Sequence, residues 1–155
     1  MLFARMLSKG NSWDFTPDHV GGGAGNVQIA TMIGGTERNL YGPVVTPSDG
    51  WVHLAVVFDQ DAGTLTMYRN AVQVAQLTGL ISLTTDDSGA HFRLASGPAD
   101  NFKPIDGRLD EVRISDVALT PDQLGYHGTL VPEPGVAALA CGLGWMIGLA
   151  RRRKA

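Results

Sequence analysis

The sequence predicts an all-β, antiparallel fold over residues 1–128, and three observations predict it. From Met1 to about Ser115, short apolar runs are separated by Gly, Thr, Asp and Asn, and no long stretch keeps a helical period. Three of these runs follow one another between Trp51 and Leu77 with only short turn sequences between them, the pattern of a meander. A chain of 155 residues is long enough for one domain of ordinary size and too short for two sizeable cores.

MLSKGNSWDF opens with a candidate inner strand, and VGGGAGN, through Gly25, reads as a flexible loop. VQIATMI, Val27 to Ile33, is a weaker strand candidate. WVHLAVVFD, Trp51 to Asp59, is the clearest strand: Val52, Leu54, Val56 and Phe58 share one face, and Trp51, His53, Ala55 and Val57 share the other. Apolar residues on both faces predict a central, covered strand. TLTMYRN, Thr64 to Asn70, alternates as the second arm of a hairpin, and VQVAQL supplies a third strand after Asn70-Ala71. HFRLAS, His91 to Ser96, and RLDEVRIS, Arg108 to Ser115, are read as two further strands. Thr120-Pro121-Asp122-Gln123 then has the grammar of a short helix start, with Thr at the cap, Pro at the first position and Gln closing a capping box; Gly125 ends it.

Beyond Gly128 the composition changes. Residues 129–134 form a linker carrying Pro132, Glu133 and Pro134, residues 135–150 an uncharged apolar run, and residues 151–155 a basic end with Arg151, Arg152, Arg153 and Lys154. The body to Leu130 carries 8 Lys+Arg against 14 Asp+Glu, net −6, and the tail 4 against 1, net +3. The acidic body has no basic stripe interleaved with aromatics, which argues against a nucleic-acid partner. As a helix the apolar run reaches roughly 24 Å, short of a hydrocarbon core of about 30 Å, so it spans a membrane only marginally. Its charges would stay cytoplasmic and leave the body on the far side. The single cysteine, Cys141, lies in this run, so the body has no disulfide framework. MLFARMLSKG lacks the apolar core and cleavage site of a secretory signal.

GWVHLAVVFDQDAGTLTMYRNAVQVA and GRLDEVRISDVALTPDQL, in that order, resemble motifs of laminin-G-like, concanavalin-A-like lectin and glucanase jelly rolls. Ala71 departs from the family's Asn-Gly turn, which makes a positive-φ turn costlier there. The resemblance implies strands ahead of the SKG segment and a first strand beside the last. The expectation is therefore an antiparallel β-sandwich of the jelly-roll type that is either N-terminally truncated or a remodelled short domain, with an RLDEVRIS strand that lacks its partner. The tail resembles a PEP-CTERM sorting signal: Pro132, Glu133 and Pro134 as recognition motif, residues 135–150 as a transient span, and Arg151, Arg152, Arg153 and Lys154 as the retention cluster. That resemblance implies an exosortase partner, a transient stay in the inner membrane of a Gram-negative bacterium, and a final place at the cell surface or in an extracellular matrix.

Candidate sites in the body are sparse. In RLDEVRIS, a strand would put Asp110 at the end of the apolar face of Val112 and Ile114, where a carboxylate needs backbone donors or a cation. A structural Asp is the ordinary reading; Asp110 as a calcium ligand is the alternative, since some relatives use one. Asp59 and Asp61 share a turn, but Asn70 stands where a calcium loop needs Glu, and a solvated turn is expected. His19, His53, His91 and His127 are dispersed without metal-ligand spacing. Trp13, Trp51 and Tyr68 are either a sugar-stacking platform or core residues; Trp51 opens a strand and Tyr68 lies within one, which assigns those two to the core. The only glutamates in the body, Glu37 and Glu111, do not form the paired carboxylates of a glucanase, and VGGGAGN lacks the Lys of a phosphate loop. The function expected is a non-enzymatic, exported surface or matrix protein with a carbohydrate- or protein-binding module; the alternative is a structural sandwich with no specific ligand.

Overall fold

The computed structural model describes residues 6–10, 12–19, 25–86, 89–95 and 107–126. Alternation between apolar and polar side chains gives eight strands among them: β1 (Leu7–Lys9), β2 (Trp13–His19), β3 (Asn26–Ile33), β4 (Thr36–Val44), β5 (Leu54–Asp59), β6 (Thr64–Arg69), β7 (Val72–Leu77) and β8 (Phe92–Leu94). They form a five-stranded sheet in the order β4-β3-β2-β1-β8 and a three-stranded sheet in the order β5-β6-β7, with every pairing antiparallel.

Odd positions of β3, Val27, Ile29 and Ile33, point inward together with Phe15, Leu40, Leu65, Met67, Met6 and Leu80. Leu54, Val56 and Phe58 from β5 and Ala75 and Leu77 from β7 close over this core from the smaller sheet. The sheets approach closely where Gly42 of β4 faces the sulfur of Met67, a residue with no exposed surface; a Cβ at position 42 would collide with that sulfur. A side chain larger than hydrogen there would hold the two layers apart.

Several expectations needed correction. The strand read from Trp51 begins only at Leu54, and it lies at the edge of its sheet, every residue half-buried. The central strand is β6, in which Leu65, Thr66 and Met67 are all buried. VQIATMI, the weaker candidate, is an inner strand of the larger sheet. Its partner β4 escaped notice because TERNLYGPV is charged and holds Gly and Pro. Pro43 is tolerated because β4 is an edge strand, where a missing N–H breaks no ladder. The signal that would have found the hairpin is Gly34-Gly35, both at positive φ, a pair typical of two-residue hairpin turns.

RLDEVRIS is not a strand. Arg108 to Ser115 has no ladder partner among the described strands, and Val112 and Ile114 are 41% and 67% exposed. A lone extended segment has neither cross-strand hydrogen bonds nor a face to bury, so alternation alone does not hold it in a sheet. HFRLAS is shortened to β8, which pairs with β1 only.

The turn at Asn70-Ala71 survives the missing glycine: φ is +53° and +61°. Asn70 holds it, since its Oδ1 accepts from the His53 N–H at 3.0 Å and its own N–H donates to the His53 carbonyl at 2.9 Å. Ala71 therefore carries a left-handed conformation that costs an L-residue about 1–2 kcal/mol. Residues 21–24 of the glycine-rich loop, and the whole of residues 127–155, lie outside the described residues. No helix among the described residues is long and apolar enough to cross a membrane.

Candidate functional site

Ahead of β5, Thr46-Pro47-Ser48-Asp49 repeats the grammar of Thr120-Pro121-Asp122-Gln123, and both form a single 3₁₀ turn, Pro47–Asp49 and Pro121–Gln123. In the first, Asp49 Oδ2 accepts from the Thr46 N–H at 2.7 Å and from Thr46 Oγ1 at 2.9 Å, while Oδ1 takes the Arg69 guanidinium at 2.6 Å. Hydrogen bonds from Thr46, backbone first, and then from Arg69 hold the Asp49 carboxyl down at about 2. The turn is thus tied to β6, and it ends at Gly50, φ +67°.

The residue that follows is Trp51. It is 53% exposed, neither in β5 nor in the core to which its sequence position had assigned it. The positive φ of Gly50 turns the chain outward just before β5 begins, so the indole is carried onto the surface. Among the described residues, Gly50, Trp51 and Arg108 line a shallow, open recess of about 240 Å³. Arg108 is exposed, and its guanidinium makes no hydrogen bond or ion pair among the described residues. Sequence reasoning missed this grouping because it joins residues 57 positions apart in the chain. The one local signal was Thr-Pro-Ser-Asp-Gly, a capped turn ending in glycine directly before the tryptophan.

The other aromatic candidates stay within the fold. Trp13 is half-buried with its ring 5.7 Å from that of Phe92, and Tyr68 is half-buried in β6. His53 is half-buried, 5.8 Å from the Tyr126 ring. Its Nδ1 is buried without a hydrogen bond. Burial pushes its pKa below 6.5, a hydrogen bond to the Leu124 backbone pulls the other way, and the Arg113 charge lowers it further. These contacts mark where the C-terminal segment lies against the smaller sheet.

Asp110 does not stand at the end of an apolar strand face. It lies in the irregular, exposed segment, where its Oδ1 accepts from the Glu111 N–H at 2.8 Å. No group of three His, Cys, Asp or Glu side chains gathers among the described residues. Calcium takes about six to eight oxygens, and among the described residues Asp110 has no cluster beside it that supplies them. Asp59 caps its own turn, with Oδ1 accepting from the Ala62 N–H at 2.8 Å. Glu37 and Glu111 are each engaged by a neighbour two residues away, Asn39 at 2.8 Å and Arg113 at 2.9 Å. Pro132, Glu133, Pro134 and the basic cluster Arg151 to Lys154 lie outside the described residues.

Two packed antiparallel sheets define a β-sandwich. The family is definite as well: the Laminin_G_3 model, described as concanavalin A-like lectin/glucanases superfamily, matches residues 1–125, and the chain belongs to it. No curated protein matches the sequence. Among solved structures, the chain is similar to an S-layer domain-containing protein from Clostridium thermocellum, with 18% identity and a TM-score of 0.35. That match covers 80% of this chain and 62% of the other.

Proposed function

We propose that the chain is a non-enzymatic, exported module that binds carbohydrate at the cell surface or in an exopolysaccharide matrix, with Trp51 as the stacking platform. The exposure of Trp51 is the observation that carries the binding half. Among the exposed large apolar side chains of the described residues Trp51, 53% exposed, is the one indole, and a sugar's C–H face is a fitting cover for its ring. Membership of a superfamily that includes lectins supports the same reading. The superfamily also includes glucanases, but the engagement of Glu37 and Glu111 by their own neighbours favours binding over hydrolysis.

Delivery rests on the tail. Pro132-Glu133-Pro134, the apolar residues 135–150 and the cluster Arg151 to Lys154 support sorting through the inner membrane by an exosortase. Expression in hosts with and without exosortase tests this: a C-terminus cut only in its presence is expected, and an unchanged C-terminus in both hosts contradicts the sorting claim. For the ligand, a glycan array is probed with the full-length chain in calcium and in chelator. Binding that is lost in Trp51→Ala is expected. No signal in either condition leaves a purely structural sandwich as the reading.

A further inference from the structure

We propose that the recess formed by Gly50, Trp51 and Arg108 selects an anionic saccharide, a sugar bearing a carboxylate, over an uncharged one. The inference rests on reading the recess as a sugar site and adds the chemical class that the site takes.

Three arginines lie in this part of the fold, and they differ in what holds them. Arg69 is bound by Asp49 at 2.6 Å and Arg113 by Glu111 at 2.9 Å. Arg108 has no such partner among the described residues, and it is the one that lines the recess. Among the described residues, Asp49, Asp110 and Glu111 each have a partner of their own. Asp49, two residues before Trp51, has both oxygens engaged by Thr46 and Arg69. Glu111 is taken by Arg113, and Asp110 turns one oxygen to the Glu111 N–H. Among the described residues, then, no internal ion pair has to be broken before this guanidinium meets a ligand.

A guanidinium fork matches a carboxylate with two parallel hydrogen bonds, whereas a neutral hydroxyl accepts only one of them. An indole beside it supplies the apolar face on which a sugar ring lies. A Cβ built at Gly50 would meet nothing within 4 Å, so the floor of the recess is open to a ring resting near the backbone. The body's net charge of −6 opposes an anion at long range, so selection has to come from short-range pairing at Arg108.

The test titrates the full-length chain, by calorimetry, with an oligogalacturonate and with an uncharged glucose oligomer of equal length. The wild type is expected to bind the galacturonate about tenfold more tightly, as a charge-assisted fork over a single neutral bond implies. Arg108→Gln should bring the two affinities together by weakening the galacturonate far more than the glucose oligomer, and Arg108→Lys should keep only part of the preference. Equal affinities in the wild type, or a preference that survives Arg108→Gln with the fold intact by circular dichroism, overturn the inference and leave the sugar site standing. Binding of neither oligomer removes the sugar site itself and the inference with it.

Discussion

TLTMYRN and RLDEVRIS carry the same alternation of apolar and polar residues, yet one is the central strand of its sheet and the other is irregular and exposed. Met67 has no exposed surface; Ile114 is 67% exposed. The difference is in their neighbours. Strand β6 has β5 and β7 on either side, each joined by a short turn, so register is set locally before any distant contact forms. Arg108 to Ser115 follows no such hairpin. An alternating sequence says which side chains share a face; only a paired backbone turns that face into buried area.

Truncation makes the comparison quantitative. Met67→Ala removes a fully buried side chain at the contact between the sheets and should cost about 2–5 kcal/mol, read as a lower denaturant midpoint at unchanged slope. The next effect has the opposite sign. Ala71→Gly relieves a left-handed residue in the β6–β7 turn and should stabilise by about 1 kcal/mol, as a higher thermal midpoint. A loss on this change would mean that the turn is not the two-residue turn described.

Acidity probes the seam between the two regions, where His53 of the meander meets Arg113, Leu124 and Tyr126 of the C-terminal segment. The folded pKa of His53 lies below its ordinary 6.5, so on acidification the unfolded chain takes up the proton first. Stability should be fully present above about pH 6.5 and fall as the pH drops from there through the folded pKa. His53→Gln should flatten that slope in denaturation curves collected across the window. Asp49 and Asp122, whose pKa values are lowered below 3.8, contribute only in stronger acid. The smallest effect belongs to the exposed segment: Ile114→Ala should change the midpoint by no more than about 0.5 kcal/mol. A loss as large as that of Met67→Ala would show that Ile114 is covered after all.

The same contrast explains what could be read from the sequence. The β5–β6–β7 meander was legible because each strand lies next to its partner in the chain and the turns carry Gly or Asn. Strand β7 runs over Val72 to Leu77 as read, and the capped turn at Thr120 sits where its Pro and Gln put it. Strand β4 was hidden because only Leu40 faces the core among polar neighbours, and Leu40 pairs with Ile29, whose own strand had looked weak. Trp51 was misread for a related reason. Period-2 alternation extended β5 backward through it, whereas the positive φ of Gly50 and the Asp49–Arg69 pair stop the strand short of it. The recess itself depends on Arg108 arriving from a distant segment, which no local pattern encodes.

The central claim is that this face of the sandwich, Gly50, Trp51 and Arg108, is where the protein meets its ligand. A two-dimensional NMR titration of the full-length chain with oligogalacturonate tests it most directly. The account predicts shifts at the Trp51 indole N–H, the Gly50 amide and the Arg108 side chain, with the amides of β6 unmoved. Shifts confined to another surface, with the Trp51 indole unchanged at saturation, would contradict it.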